Sequence, residues 1–339
     1  MRRTLFIAGP TATGKSDLAA NVACETGAEI ISADAFQLYR GLDLLTAKPN
    51  ASTLAKAPHH LIATTPLHED MNAEKYRRAA SCAIDEIHSR GKLAIVVGGS
   101  GLYIKALTHG LAPLPSAEPN LREKLNAMSL DALRSQLTGL DPETAQKIDL
   151  KNRRRVVRAL EICLVTGKPA SAQREQWDRE AGNLACKGTQ GAAVSSSPPG
   201  TIWRSPPFER SQTGLSASRV RGVFVFRDRE ELYQRINDRV ETIFERGVVE
   251  DVRAAGMTSA TASQMIGLRE IRELLAGKKS LPQCIAEIQQ ATRRYAKRQL
   301  TWFRRQTNFL PLNLSFLTHN EAVKWISLRA LSEAGTTDD

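Results

Sequence analysis

Leu5-Phe6-Ile7-Ala8-Gly9-Pro10-Thr11-Ala12-Thr13-Gly14-Lys15-Ser16, followed by Leu18-Ala19-Ala20, is the stretch that decides the fold. An apolar run of strand length comes first and a helix-like run last; between them Gly9 to Ser16 spell the spacing of a phosphate-binding loop. Strand, glycine-rich turn and helix in that order aim consecutive backbone N–H groups and the positive end of a helix at one anion. Lys15 then reaches a terminal phosphate and Ser16 offers a ligand to Mg²⁺. The ligand implied carries linked phosphates.

Working outward, Glu29-Ile30-Ile31-Ser32-Ala33 reads as a second strand and Leu93-Ala94-Ile95-Val96-Val97 as a third, the latter after an amphipathic helix around residues 73 to 90. A fourth apolar run, Gly222-Val223-Phe224-Val225-Phe226, precedes Asp228-x-x-Glu231, which reads as a capping box opening a helix that stops near Gly247. Strands alternating with helices predict an α/β fold, a P-loop NTPase-like parallel sheet flanked by helices. Residues 114 to 180 instead show helical apolar faces, with Leu121, Leu125, Met128 and Leu133, then Val156, Val157, Leu160 and Cys163, and predict a helical insert domain. From 181 to 219 the periodicity fades, with seven Ser, five Gly and four Pro among 39 residues, which predicts a flexible insertion. The expected division is therefore 1–113 for the first part of the core, 114–180 for the insert, 181–219 for the insertion, 220–312 for the rest of the core and 313–339 for a tail.

With 339 residues and 42% hydrophobic content the chain is an ordinary globular protein long enough for two domains. Its 47 Lys and Arg against 36 Asp and Glu leave a net charge of +11, which points to a polyanionic partner if the excess is clustered. Cys24, Cys82, Cys163, Cys186 and Cys284 lack the spacing of a disulfide framework or a zinc site, and His59-His60 and the other histidines form no metal motif. Gly9-Pro10 ends the amino-terminal apolar run far short of a signal or membrane span, so a cytoplasmic protein with no membrane contact is expected.

In an open parallel sheet ligands collect beyond the carboxyl ends of the strands. Here the first strand leads into the loop, the second into Asp34, the third into Gly98-Gly99-Ser100-Gly101 and the fourth into Arg227 and Arg229. Asp34 can accept a proton or ligate a metal; it also fits a turn or helix cap. Because Gly98 rather than an acid follows the third strand, the pattern of an ATP-hydrolysing motor is missing and Asp34 is the best acid available. Ser100 fits a turn hydroxyl as well as a substrate contact. Arg229 stands at a helix opening, where a cation asks for a compensating anion, and Arg227 competes for that role.

The positive charge is clustered. Thr292 to Arg305 hold six cations and three aromatics without an acid, with Arg294, Arg298 and Arg305 on one helical stripe and Arg293, Lys297 and Arg304 on the next. A second run comprises Lys151, Arg153, Arg154, Arg155 and Arg158. Two such runs beside a phosphate loop favour nucleic acid over solvated faces, while Tyr295, Trp302 and Phe303 also fit a core.

Taken together, these motifs resemble the tRNA dimethylallyltransferase family, whose bacterial members prenylate the adenosine immediately 3′ of the anticodon. The resemblance rests on Gly9 to Ser16, Ser32-Ala33-Asp34, Gln37 to Gly41 with Thr46 to Pro49, Val97 to Tyr103, Arg158 to Glu161 with Thr166-Gly167-Lys168, and Thr292 to Arg304. It implies that Gly9, Pro10, Thr11, Ala12, Thr13, Gly14, Lys15 and Ser16 hold the diphosphate of dimethylallyl diphosphate with Mg²⁺, Ser16 being the metal ligand, in place of ATP. It implies that Asp34 is the base on the adenine N6 amine, flanked by Ser100 and Arg229. The anticodon stem-loop would meet Asp34, Ala35, Phe36, Gln37 and Ser100, Arg122, Asn152, Arg153, Arg154, Arg155 and Val156, the Gln264 to Arg269 stretch, and Arg294 and Arg298; a monomer is the default.

Departures from the family pattern are Ala35 for Ser, Leu44-Leu45 for Ile-Gly, Ser100 for Thr, Leu268-Arg269 for Tyr-Lys, and the length of 181–219. Two rival readings stay open. A P-loop small-molecule or nucleoside kinase would use Asp34 toward an acceptor hydroxyl but explains the basic runs poorly. A non-catalytic RNA-binding protein explains the charge but not the convergence of strand ends.

Overall fold

A computed structural model describes residues 4–111, 115, 118–173, 221–306 and 308–331. Its chain divides into two compact units, Met1–Thr108 with Thr213–Asp339, and His109–Gln212. The first unit is built on a six-stranded sheet in the order β3-β2-β4-β1-β5-β6, every pair parallel. The strands are β1 Thr4–Ala8, β2 Glu29–Ser32, β3 His59–His60, β4 Ala94–Gly98, β5 Arg221–Phe226 and β6 Phe309–Asn313. This is the α/β architecture predicted. Placing β4 between β1 and β2 makes the chain leave β1 in opposite directions, and the crevice so formed lies at the carboxyl end of β1, where the phosphate loop begins.

The central strands are apolar on both faces because both are covered. In chain order the helices of this unit are α1 Lys15–Thr26, α2 Ala51–Leu54, α3 Ala73–Ser89 and α4 Gly101–His109. The second unit carries α5 Pro119–Ala127, α6 Leu130–Leu140, α7 Pro142–Lys147 and α8 Arg153–Thr166. The first unit resumes with α9 Arg229–Glu245, α10 Val248–Ala254, α11 Leu268–Leu275, α12 Leu281–Phe303 and α13 His319–Leu331. On one side of the sheet Leu5, Ile7, Ile30, Ile95 and Val223 pack with Leu18, Ala19 and Val22 of α1 and Ala322, Val323 and Ile326 of α13. On the other, Phe6, Ile31, Val96 and Phe224 pack with Tyr76, Ile84 and Ile87 of α3, Ile104 of α4 and Phe303 of α12.

Local chemistry sets the boundaries. α1 starts after Gly14 and stops at Gly27, both left-handed, with φ of 89° and 66°. α3 starts at Asn72, whose side chain accepts from Lys75 N, and buries Tyr76, Ala80, Ala83, Ile84 and Ile87 at helical spacing. α12 starts with a reciprocal box in which Ser280 N donates to Gln283 Oε1 at 3.0 Å and Gln283 N to Ser280 Oγ at 3.4 Å. It buries Cys284, Ile288, Thr292, Ala296, Gln299 and Phe303, leaving Arg294, Lys297 and Arg298 exposed on the other face.

Three expectations are corrected. The part of 313–339 that is described, read as a tail, ends β6 and forms α13, whose apolar face completes the core against α1. Asp228 and Glu231 do not form a capping box: Asp228 accepts from Asn313 Nδ2 at 3.0 Å, while Glu231 takes Arg227 at 2.5 Å and Ser315 Oγ at 2.6 Å. A guanidinium is a stronger partner for a carboxylate than a backbone N–H. In the second unit Leu125, Leu133, Leu137, Val156, Val157 and Leu160 make a helical core, and this unit opens at His109 rather than at residue 114. The expected insertion 181–219 lies outside the described residues.

At the amino end of β2 the 3% exposed Glu29 meets Arg90 at 2.7 Å, His60 at 2.8 Å and Lys92 at 3.0 Å. Burial raises its carboxyl, but hydrogen bonds from Arg90, His60 and Lys92 outweigh burial and hold it at about 2 against an ordinary 4.5. The depressed value in the folded state means that the contribution is present above the unfolded value and is lost as pH falls from about 4.5 toward about 2. In urea unfolding, Glu29→Gln is expected to cost about 3 kcal/mol at neutral pH, a gap that narrows and closes across that acid window; a gap independent of pH would assign the loss to packing alone.

Candidate active site at the carboxyl edge of the sheet

The strand ends meet at backbone distance. A Cβ added to Gly9 would lie 2.2 Å from Val225 O, and one added to Gly98 would lie 2.2 Å from Ala33 O. Gly9 N donates to Gly98 O at 3.2 Å, Ala33 N to Val97 O at 2.7 Å and Ser100 N to Ala33 O at 3.2 Å. The loop therefore stands directly beside the residues that follow β2 and β4.

Within the loop, Ala12 and Gly14 take φ of 66° and 89°. Thr13 Oγ and Lys15 Nζ both donate to Pro10 O, at 3.0 and 3.2 Å, and close the turn. Three arginines brace it from outside: Arg227 donates to Thr13 O at 3.0 Å, Arg235 to Ala12 O at 2.8 Å and Arg239 to Thr11 Oγ1 at 2.9 Å. Burial pushes the Lys15 amine down to about 8, with the Asp34 carboxylate pulling it up and Arg239 pushing it further down. Arg235 and Arg239 are likewise lowered, first of all by desolvation. These cations stand together at the loop, with hydrogen bonds from Lys15, Arg235 and Arg239 ending on neutral oxygens, an arrangement that suits an anion.

Asp34 is half-buried, and its Oδ1 accepts from Phe36 N at 2.9 Å and Gln37 N at 3.4 Å. The turn reading is thus correct for this oxygen, and the same turn places the carboxylate within electrostatic reach of Lys15 and Arg239. Ser100 Oγ accepts from Ala35 N at 3.0 Å and lies within hydrogen-bonding reach of the Tyr295 phenol. Burial and the Asp34 charge raise that phenol, so it stays a hydrogen-bond donor. Gln37 holds the segment after it, donating to Ala47 O at 2.9 Å and accepting from Ser32 Oγ at 3.2 Å.

From this edge opens a narrow cleft. Its polar end is Thr11, Asp34, Arg239 and Tyr295, and its walls are apolar: Phe36, Leu44, Leu45, Val240, Ile243, Met265, Ile266 and Ile288. Such a cavity suits a ligand with an anionic head and a hydrocarbon tail.

Not every expected residue is brought here. Arg229 is exposed at the start of α9 with its guanidinium 5.2 Å from the centre of the Tyr233 ring, whereas Arg227, Arg235 and Arg239 reach the loop. In the second unit Arg122 pairs with the buried Glu161, and Arg153 donates to Asn126 O at 2.7 Å and Met128 O at 2.5 Å. Asn152 caps α8, and Val156 is fully buried, so its side chain packs a core and meets no RNA. Arg154 and Arg155 are exposed, as are Arg294 and Arg298; Arg298 lies 5.7 Å over the Tyr295 ring. Sequence reasoning missed Arg235, Arg239 and Gln299. The first two stand four residues apart on one face of α9, but nothing near them in sequence says that this face meets the loop.

A parallel α/β sheet with a phosphate loop, an acid and an apolar cleft at one edge defines the class, and comparison narrows it. The sequence pattern described as IPP transferase matches residues 37–306. The chain is 41% identical over 310 residues to tRNA dimethylallyltransferase 1 of Citrifermentans bemidjiense, covering 90% of each, and 41% identical over 304 residues to the tRNA dimethylallyltransferase of Akkermansia muciniphila, covering 89% and 90%. Its fold matches the crystal structure of the full-length tRNA isopentenylpyrophosphate transferase from Bacillus halodurans with a TM-score of 0.64 at 29% identity, over 98% of both chains. A eukaryotic dimethylallyltransferase acting on tRNA shares the fold with a TM-score of 0.73 at 24% identity, over 98% of this chain and 80% of the other. The chain belongs to the IPP transferase family.

The lowered Lys15 amine sets a pH dependence. Its proton is present below about 8 and is lost above it, so diphosphate measured by titration calorimetry is expected to bind several-fold more weakly at pH 9 than at pH 7. Lys15→Met should bind weakly at both and lose most of that dependence.

Proposed function

We propose that this chain transfers a dimethylallyl group from dimethylallyl diphosphate to N6 of the tRNA adenosine immediately 3′ of the anticodon, releasing diphosphate. The observation that carries the reading is the shared cleft: Thr11 of the loop with Arg239, the Asp34 carboxylate and an apolar wall face one space, and Lys15 lies within electrostatic reach of Asp34. The diphosphate sits on the loop N–H groups with Lys15 and Arg239, and the allyl tail lies along Leu44, Leu45, Val240 and Ile243. The allylic C–O bond breaks, its electron pair leaving with diphosphate; N6 attacks the delocalised carbon, and its proton passes to Asp34. Little covalent help is needed, so the site supplies charge, orientation and exclusion of water from the cationic carbon.

Mg²⁺ suits a hydroxyl in the first turn of α1 beside a phosphate loop, because it prefers one or two protein oxygens with phosphate and water. Ser16, beside Lys15 in the first turn of α1, would hold it, and the ion would add positive charge on the leaving diphosphate. For tRNA we assign the exposed Arg294 and Arg298 of α12 and Arg154 and Arg155 of α8 to phosphate contacts, with the target base drawn from its stack to reach Asp34. No helix among the described residues is long and apolar enough to cross a membrane. We place the protein in the cytoplasm as a monomer.

Radiolabelled dimethylallyl diphosphate and unmodified tRNA test the reading. Transfer should proceed without ATP, and Asp34→Asn should lower kcat by about 10² to 10⁴ with tRNA affinity unchanged. ATP-dependent phosphorylation without prenyl transfer would overturn it in favour of a kinase, and an RNA-binding protein would be indifferent to the Asp34 change.

Replacing both Arg294 and Arg298 by Gln should weaken tRNA binding and flatten its dependence on log salt by roughly 0.7–0.9 per lost phosphate contact. An unchanged slope would remove them from the interface.

A further inference from the structure

Gln299 is a polar side chain in the buried face of an otherwise basic helix, only 6% exposed, and its amide both accepts and donates at the site. Its Oε1 accepts from Thr11 N at 2.9 Å and its Nε2 donates to Gly99 O at 2.8 Å. The two partners fix the amide's orientation, because the Thr11 N–H can only donate and the Gly99 carbonyl can only accept. One side chain of α12 thereby bridges the phosphate loop after β1 and the glycine turn after β4. The space is tight: a Cβ on Gly99 would lie 2.2 Å from Gln299 Nε2. One turn earlier on the same helix Tyr295 reaches Ser100, which holds Ala35 beside Asp34.

Gln299 itself does not line the cleft; it acts on it through Thr11, which does. A methionine in the same place would leave the Thr11 N–H and the Gly99 carbonyl buried without partners, and the loop would shift to find them. We infer that Gln299 is a positioning residue which fixes the shape of the diphosphate cradle and its distance from the β4 turn, so that the helix carrying the exposed Arg294 and Arg298 also sets the geometry of the loop. The inference rests on the transferase reading for the identity of the anion.

Gln299→Met keeps side-chain length and helix propensity while removing both bonds. With the full-length protein, the Kd for inorganic diphosphate by calorimetry and the KM for dimethylallyl diphosphate are each expected to rise about ten-fold or more. The Kd for tRNA and its salt slope should stay within two-fold, and thermal unfolding should remain cooperative. If the methionine variant does not fold, Gln299→Glu, which still accepts from Thr11 but cannot donate to Gly99, carries the same measurement and is also expected to bind diphosphate more weakly. Wild-type diphosphate affinity in either folded variant would overturn the inference, as would equal losses in diphosphate and tRNA binding, which would mark a general disturbance of α12. Should the wild-type protein bind diphosphate yet transfer no prenyl group, the transferase reading fails, while the weakened diphosphate binding of the variants would still support the link between Gln299 and the loop.

Discussion

At the carboxyl ends of β1, β2 and β4 the chain approaches itself so closely that Gly9, Gly98 and Gly99 leave no room for a side chain. Any Cβ there would press on a carbonyl of the neighbouring strand or on the amide of Gln299. The phosphate loop, Asp34 and the Ser100 turn are consequently located by backbone hydrogen bonds between adjacent strands, the least adjustable contacts a sheet offers. The rest of the site is hung on that frame. Arg235 and Arg239 arrive from α9, Gln299 and Tyr295 from α12, and each ends on an atom of the loop or of the turn beside it. A site built in this way is preorganised by fold rather than by flexible loop closure.

The electrostatics follow from which partners the cations have. Arg235 bonds a carbonyl, Arg239 a hydroxyl and Lys15 a carbonyl, all neutral acceptors; Arg227 alone of the bracing arginines is paired with an acid, Glu231. Desolvation lowers Lys15, Arg235 and Arg239 more than the carboxylates near them, Asp34 for Lys15 and Arg239 and Glu231 with Asp238 for Arg235, raise them, and an anion at the loop would offset that cost. Phosphate binding alone would serve a kinase equally well. What separates the two chemistries is the cleft beyond Asp34, whose wall is mostly apolar, with Leu44, Leu45, Val240, Ile243, Met265 and Ile266, and suits a hydrocarbon tail.

The legible part of this molecule was the part governed by neighbours in sequence. Gly9 to Ser16 define a loop by spacing, the strands before them declare themselves by apolar runs, and Asp34 follows from standing at a strand end. Arg239 and Gln299 were illegible because their partners lie 228 and 288 residues away. β3 is too short to signal, and β6 contains Pro311, which argues against a strand except at a sheet edge, where β6 stands. Resemblance transfers positions but not side-chain directions. Val156 was expected at an RNA surface, yet its side chain fills a core; Arg122 stays exposed while it pairs with the buried Glu161.

Of the departures from the family pattern, Leu44 and Leu45 fall on the wall of the cleft, and none falls in the loop from Gly9 to Ser16. Leu45 and Gly267 are matched to each other: a Cβ on Gly267 would come within 2.8 Å of the Leu45 side chain, and its φ of +95° already disfavours one. Leu268 is buried in the same cluster, and Arg269 turns outward to Glu270. Ala35 lacks the hydroxyl expected there, but the bond that ties this position to Ser100 runs through its backbone N–H, which any residue other than proline supplies. Ser100 keeps the oxygen that accepts it. The loop and Asp34 thus follow the pattern, the Ala35–Ser100 contact beside Asp34 survives both substitutions, and Leu44 and Leu45 reshape the apolar surface against which a tail would rest.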